Sequence, residues 1–145
     1  MKRISSWFWC LFSWQCQRRA KIYRDEEKIS RNEIGELGER IACSYLKRQG
    51  RKILYRNYRA SGGGEVDIVA RDLDTLTFVE VKTRTRRYGR PLEAVDLEKQ
   101  DLIERGANSW LDLLKTREIL WRFDVVEVIL EEGKKPDVTV VENVF

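Results

Sequence analysis

The chain has 145 residues, of which 36% are charged and 42% hydrophobic, so it can form one soluble domain with a core and is too short for two. Histidine is absent, which excludes Ser-His catalysis, histidine general bases and imidazole zinc sites. The three cysteines form no Cys-x-x-Cys pair, so a reducing, cytoplasmic location is expected. The apolar runs are too short for a membrane-spanning helix.

The positive charge is concentrated near the start of the chain. The first 32 residues carry eight Lys/Arg against three Asp/Glu, whereas the other 113 residues carry twenty against twenty-one. Residues 1–30 contain the aromatic stretch WFWCLFSW and form a basic extension to a domain predicted at residues 31–145. A poorly ordered extension or a start-site artefact is the favoured interpretation, and an interfacial membrane anchor and a partner-docking arm stay open.

The hydrophobic pattern after residue 31 predicts the element order α-β-β-β-α-β-β. Asn32 is a reasonable N-cap for a first helix that Gly50 ends. A second amphipathic helix spans about residues 94–115. Strands are predicted at residues 52–59, 64–71, 76–83, 122–130 and 137–145. A mixed β-sheet flanked by helices, which is an α/β fold, accommodates this order best.

Side-chain alternation predicts which residues share a face in the second and third strands. In the third strand, Glu80 and Lys82 share one face with Phe78, and the opposite face, with Val79 and Val81, is expected to be core. In the second strand, one face is predicted to carry Glu65, Asp67 and Val69, and the other face is predicted to carry Val66, Ile68 and Ala70.

Two carboxylates are predicted to meet across these strands. A tight turn at residues 72–75 pairs Asp67 with Glu80 and Glu65 with Lys82. Like charges placed directly opposite each other destabilise a sheet. A hard divalent cation would offset that cost, and Mg²⁺ prefers one or two carboxylates with water and phosphate oxygens. The pair is therefore interpreted as a metal site for Mg²⁺ or Mn²⁺.

Further candidates for the same site come from the neighbouring residues. Lys82 can orient the attacking water or neutralise a phosphate. Glu39 is the glutamate of the first helix that is placed to reach the sheet. Gly35 and Gly38 lie in the same turns of that helix, where glycine costs about 1 kcal/mol against alanine, which predicts the close approach of another backbone.

Two residues of the second helix and a basic loop give additional, weaker signals. Lys99 and Gln100 are candidates to hold a phosphate or a water, although a purely structural role is favoured for both. The loop KTRTRRYGR follows the site strand, and its arginines can grip phosphates while its tyrosine stacks on a base. The predicted nucleic-acid contacts are Arg84, Arg86, Arg87 and Tyr88.

Taken in order, the motifs GELGERIACSYLKRQG, ILYRNYR, GGGEVDIVARD, FVEVKTR, PLEAVDLEKQ and RFDVV resemble the YraN-type family of predicted bacterial endonucleases. That family is similar to archaeal Holliday-junction resolvases, within the PD-(D/E)xK restriction-endonuclease-like nucleases. The resemblance covers residues 32–145. It implies that Asp67 and Glu80 bind Mg²⁺ or Mn²⁺, that Lys82 assists the attacking water, and that Glu39 is the helix glutamate of the site. Val66 stands where the motif's proline is often found.

The function expected from residues and resemblance together is metal-dependent endonuclease cleavage of structured DNA, such as branched or junction DNA. A non-catalytic nucleic-acid-binding protein on the same fold is the first alternative, and a membrane-tethered adaptor acting through residues 1–30 is the second. Because the residues after 32 carry no net positive charge, DNA affinity is expected to be modest unless the extension contributes or the protein forms a homodimer.

Overall fold

A computed structural model describes residues 30–85, 97–116 and 118–144. The element order in these residues is the predicted one. The helices are α1 (Arg31–Arg48) and α2 (Leu97–Leu114), and the strands are β1 (Lys52–Ala60), β2 (Gly64–Asp72), β3 (Thr75–Thr85), β4 (Leu120–Leu130) and β5 (Asp137–Val141). None of the helices in the described part of the chain is long and apolar enough to cross a membrane.

The five strands form one mixed sheet in the order β1-β2-β3-β4-β5. Strands β3 and β4 are parallel, and the other neighbouring pairs are antiparallel. The predicted β2–β3 register is confirmed from Asp72↔Thr75 to Ile68↔Val79, where the paired positions end. The expected direct pairs of Asp67 with Glu80 and of Glu65 with Lys82 lie beyond this position and are not among the paired residues of the two strands.

Several predicted boundaries differ from the structure; the last strand, for example, ends at Val141 rather than at residue 145. The N-cap of α1 is Ser30 rather than Asn32, because Ser30 Oγ accepts a hydrogen bond from Glu33 N and the Glu33 carboxylate accepts one from Ser30 N. These hydrogen bonds also lower the pKa of Glu33. Strand β3 continues to Thr85, two residues past the predicted end, because its parallel pairing with β4 extends to Leu130.

Both faces of the sheet are covered, whereas one core face was predicted for β3. The face that packs on α2 includes Phe78 and Val69 with Ile103 and Leu111 of the helix. The face that packs on α1 contains Ile68, Val79, Val126 and Val128 with Ala42, Cys43 and Leu46 of that helix. Cys43 is a buried free thiol, as expected of a packing residue.

Glycine allows close approach at two contacts that position the helices. A Cβ added to Gly38 of α1 would lie 1.7 Å from Thr83 Oγ1 in β3, whereas one added to Gly35 would meet nothing within 4 Å. The predicted close approach is therefore correct for Gly38, although its neighbour is a side chain, and wrong for Gly35. A Cβ on Gly64 would lie 2.5 Å from Gly106 N, so the start of β2 touches the backbone of α2.

A buried ion-pair network ties the end of α1 to the strands. Arg51, 4% exposed, donates to Asp124 Oδ2 at 2.7 Å and to Glu142. Arg122 donates to the other Asp124 oxygen at 2.9 Å and to Asp72 at 2.8 Å. Because each buried charge has an opposite partner, the network satisfies the condition under which charges are tolerated in a core.

Candidate active site

The site begins where β2 and β3 stop pairing. Asp67 is the neighbour of Ile68, on the side where the pairing with β3 has ended at Ile68↔Val79. Its Oδ2 accepts a hydrogen bond of 2.8 Å from the backbone N of Val81. The carboxylate thus takes the place of a backbone acceptor at the point where the two strands separate. Asp67 is 8% exposed, so this charge lies almost entirely inside the protein.

The regular alternation of β2 reverses at Asp67. Val66 packs in the core on the α2 side, whereas Ile68, which strict alternation would place on the same face, packs on the α1 side. The opposite position in β1, between Arg56↔Ile68 and Tyr58↔Val66, is Asn57, whose φ of 52° is left-handed. The predicted assignment of Val66 and Ile68 to one face is therefore wrong, and the reversal lies opposite a residue of β1 with a left-handed backbone.

Glu80 is the most strongly perturbed acid of the site. It is 7% exposed, and its Oε2 lies 3.3 Å from Lys99 Nζ of α2. Burial, which is the largest cause, and the nearby Asp67 charge raise the pKa of Glu80 to about 8 against the opposing effect of Lys99. Oε2 is buried and, among the described residues, has no hydrogen bond of good geometry. A hydrogen-bond donor or a cation that contacts Glu80 Oε2 in addition to Lys99 would therefore stabilise the charged carboxylate.

Glu39 completes the acidic cluster from the opposite side. The close contact of Gly38 with Thr83 brings the next residue of α1 to the sheet. Burial raises the pKa of Glu39, and the charge of Asp67 raises it further. Arg56 Nη2 lies 3.7 Å from Glu39 Oε2, and a hydrogen bond from the Asn57 side chain also favours the charged form. The effect of the Asp67 charge on Glu39 indicates that the two carboxylates lie in the same region of the fold, and a role of Glu39 in the site stays a prediction.

Lys99 lies beside Glu80, a contact that is compatible with the favoured structural role, which stays a prediction. Burial would lower the pKa of Lys99, but the charges of Glu80, Asp67 and Glu65 outweigh it and the net shift is upward. Gln100 is half-buried in the same turn of α2. Sequence reasoning placed Lys99 on the correct side of the helix but had no means of measuring its distance to Glu80.

The structure describes two of the remaining predicted site residues and leaves three outside the described part of the chain. Lys82 is half-buried in β3, two residues beyond Glu80 and opposite Glu127 of β4. Arg84 lies within β3 rather than in a loop, and its Nε is 3.4 Å from Glu127 Oε1. The other predicted nucleic-acid contacts, Arg86, Arg87 and Tyr88, lie outside the described residues.

The donor set fits a divalent cation held by two carboxylates. Across residues 30–85, 97–116 and 118–144, no group of three or more acidic or cysteine side chains is arranged to hold a metal ion. Asp67 is close enough to Glu80 to raise its pKa, and Glu80 Oε2 is a buried oxygen whose contact is the Lys99 ammonium at 3.3 Å. Two carboxylates with water and substrate oxygens are the ligand set that Mg²⁺ accepts.

Arg56 and Asn57 are site residues that sequence reasoning missed. Arg56 approaches Glu39, and the left-handed Asn57 lies opposite Asp67. Asparagine is enriched at positive φ, so an asparagine within the strand-like segment ILYRNYR was the available signal of an irregularity.

The fold and the site define an α/β domain in which a mixed five-stranded sheet buries a carboxylate cluster between its two helices. Residues 38–128 match the family described as "Uncharacterised protein family UPF0102". The chain is 46% identical over 114 residues to a UPF0102 protein of Trichlorobacter lovleyi, which covers 77% of this chain and 89% of that protein. A UPF0102 protein of Caldicellulosiruptor saccharolyticus is 39% identical over 119 residues, 81% of this chain and 100% of its own length. The chain belongs to the UPF0102 family.

Proposed function

We propose that this protein is a metal-dependent endonuclease that hydrolyses phosphodiester bonds in structured DNA, on a fold of the restriction-endonuclease type. The observation that carries the proposal is the burial of Glu80 and Asp67 beside each other at the point where β2 and β3 separate. Two like charges in that position cost stability, and the Lys99 ion pair opposes only part of that cost, since the pKa of Glu80 stays raised. Strongly perturbed buried acids of this kind are concentrated at functional sites.

The residues divide the work of hydrolysis between them. Asp67 and Glu80 would hold Mg²⁺ or Mn²⁺, which when bound would acidify a water and stabilise charge on the scissile phosphate. Lys82, on the strand that carries Glu80, would orient the attacking water or neutralise the phosphate. Glu39 would orient groups around Asp67 from the other side of the sheet. The partner is DNA, bound by a monomer or a homodimer in the cytoplasm.

A cleavage screen with Mg²⁺ and Mn²⁺ over duplex, flap and four-way-junction DNA tests the proposal. The wild type should cleave at least one branched substrate, and Asp67→Asn should abolish cleavage while preserving the fold. Asp74→Asn is the matched control, because Asp74 is an exposed carboxylate in the turn that joins the same two strands. Equal cleavage by all three proteins would exclude Asp67 as a metal ligand.

A non-catalytic nucleic-acid-binding role is the second candidate function. The observation that favours it is the Lys99–Glu80 ion pair, because an ammonium already neutralises part of the charge that a metal would neutralise. A wild type that binds branched DNA in EDTA but cleaves none of these substrates with either metal would support this role over catalysis. The membrane-adaptor alternative rests on residues 1–30, of which only Ser30 is described.

A further inference from the structure

Strand β1 reverses its facing at the same level of the sheet as β2. Arg56 lies on the α1 side, where its Nη2 is 3.7 Å from Glu39 Oε2. Tyr58, two residues later, lies on the α2 side, where its ring is 5.1 Å from that of Trp110. Residues that are two apart in a regular strand share a face, so the alternation of β1 is interrupted at Asn57.

The reversals of the two strands are matched across the β1–β2 ladder. Arg56 pairs with Ile68, and both residues lie on the α1 side of the sheet. Tyr58 pairs with Val66, and both lie on the α2 side. The register is the same for the two pairs, so neither strand contains an inserted residue between them. One residue of each strand stands between these pairs, and at that position both strands turn over.

In β2 the residue at this position is Asp67. Its carboxylate extends along the sheet toward β3, where Oδ2 accepts the hydrogen bond from Val81 N. In addition to burial, its charge raises the pKa of Glu80, beside Lys99 on the α2 side, and that of Glu39, on the α1 side. The matched reversal therefore brings together acids that a regular sheet would hold apart on its two faces.

In β1 the residue at this position is Asn57, which has a φ of 52°. Left-handed backbone is uncommon for residues other than glycine, but asparagine adopts it several-fold more often than most. Because this conformation differs from that of an extended strand, the side chains that follow it can change face. The Asn57 side chain also donates a hydrogen bond to Glu39. Asn57 thus lies opposite Asp67 and bonds to a second acid of the cluster.

The location of Asn57 distinguishes it from an ordinary turn residue. Leu73 has nearly the same φ, 51°, but it lies in the exposed turn between β2 and β3. Asn57 lies within β1, which continues on both sides of it. Backbone in a sparsely populated region persists only where the surrounding structure maintains it, and such residues are concentrated at functional sites.

We propose that Asn57 is a positioning residue of the carboxylate site. Its left-handed backbone holds the reversal that directs Asp67 along the sheet, and its side chain orients Glu39. The inference rests on the proposed function, because Asp67 is one of the two carboxylates assigned there to the metal. In this role Asn57 contacts neither metal nor substrate, so its replacement should change the position of the Asp67 carboxylate in the metal-free protein as well.

Hydrogen exchange of the Val81 amide in the metal-free full chain tests the backbone role, because this amide donates to Asp67. Asn57→Gly permits the left-handed conformation and should leave the exchange rate within about two-fold of that of the wild type. Asn57→Val resists the conformation and should raise the rate at least about ten-fold. Each rate is divided by that of amides in the middle of β4, which removes the effect of global stability. Leu73→Val is the matched control, since it places the same residue type at the same φ outside the site, and it should leave the normalised rate unchanged.

The side-chain role is tested by the NMR signals of the Asn57 carboxamide. Glu39→Gln removes the charge of the acceptor and should move these signals. Glu36→Gln, at an exposed position one turn earlier in α1, should leave them in place. Asn57→Ala is the second backbone variant if Asn57→Val does not fold, because alanine also disfavours a positive φ and should raise the Val81 exchange rate.

Mn²⁺ titration, followed by paramagnetic broadening of the Val81 amide, connects the positioning role to the site. Asn57→Gly should be broadened at about the wild-type Mn²⁺ concentration, whereas Asn57→Val or Asn57→Ala should need about 10- to 100-fold more, the range for lost support of a metal ligand. Equal Mn²⁺ dependence in all these variants would overturn the inference.

The exchange rates separate this inference from the proposed function. An unchanged normalised Val81 rate in folded Asn57→Val and Asn57→Ala would overturn the positioning role, and so would an equal rise in Asn57→Gly. A wild type that Mn²⁺ does not broaden would contradict the proposed metal site, and the exchange rates would then decide the positioning of Asp67 by themselves.

Discussion

Lys99 Nζ of α2 lies 3.3 Å from Glu80 Oε2 of β3. The contact joins the helix to the most buried acid of the site and places an ammonium where the two carboxylates need positive charge. Because a charged pair in this environment loses hydration, each partner depends on the other for its ionised form. The helix is therefore coupled electrostatically to the site as well as packed against the sheet.

Replacement of Lys99 should shift the titration of Glu80. The charge of Lys99 lowers a Glu80 pKa that burial and Asp67 raise to about 8, so Lys99→Met should move the Glu80 pKa further upward. Carboxyl-carbon NMR titration of the metal-free protein measures this directly. Lys99→Arg retains the charge and should leave the titration close to that of the wild type. An unchanged Glu80 pKa in Lys99→Met would show that the ion pair does not persist in solution.

Glu80 should also make the stability of the metal-free protein depend on pH. Its pKa is about 8 in the fold and 4.5 when unperturbed, so between these values the native state holds a proton that the unfolded state has lost. The free energy of unfolding should therefore be highest at the acidic end and decrease as pH rises through this window, by up to about 1.4 kcal/mol per pH unit.

Urea denaturation of the wild type and Glu80→Gln in EDTA isolates this contribution. The variant cannot ionise at position 80 and should lose less stability than the wild type as pH rises from about 5 to about 8. Glu98→Gln, at an exposed position in the first turn of α2, should follow the wild type. Parallel pH dependence in all three proteins would contradict the raised Glu80 pKa.

The sequence was sufficient to predict the architecture, but it did not determine the geometry of the site. Alternation and turn chemistry predict the β2–β3 register as far as Ile68↔Val79, because each residue there follows a local rule. The reversal at Asp67, which lies opposite the left-handed Asn57 of β1, does not follow from such a local rule. The Lys99–Glu80 distance depends on the depth of helix packing, which Gly64 and Gly106 set through a contact between distant parts of the chain.

The two glycines of α1 should respond in opposite directions to alanine. A Cβ at Gly38 would overlap the Thr83 side chain, so Gly38→Ala should destabilise the protein by about 1–3 kcal/mol. A Cβ at Gly35 meets no atom within 4 Å, so Gly35→Ala should stabilise it by up to about 1 kcal/mol. Chemical denaturation measures both. The added variant Thr83→Ala removes Oγ1 and Cγ2 but keeps Cβ at 2.7 Å, so it should recover part of the loss in the Gly38→Ala background, and additive effects would refute the contact.

The buried ion-pair network should be costly to break. Asp124→Ala removes the shared partner of Arg51 and Arg122. The guanidinium of Arg51, which is 4% exposed, then keeps only its remaining acidic neighbours. A loss of about 3–5 kcal/mol in unfolding free energy is expected. Glu131→Ala breaks the exposed pair with Lys134 and should cost less than about 1 kcal/mol. Similar losses in the two variants would show that burial does not determine the strength of these ion pairs.

Removal of Lys82 should separate DNA binding from hydrolysis. Lys82 follows Glu80 by two positions in β3 and is half-buried, and the proposed function gives its amine a role in the reaction rather than in general attraction of phosphate. Lys82→Ala should lower the rate of cleavage about 10²- to 10⁴-fold, which is the range for lost general acid–base assistance. Binding of the same branched DNA in EDTA should change little.

Lys134→Ala is the matched control for this experiment, because it removes an exposed lysine from the turn before β5. Single-turnover cleavage with Mg²⁺ separates the chemical step from product release, and anisotropy in EDTA gives the affinity. If Lys82→Ala cleaves at the wild-type rate, Lys82 has no part in the chemical step. If it loses affinity and rate by the same factor, Lys82 binds phosphate in the ground state, and the water must be oriented by another group near Glu80.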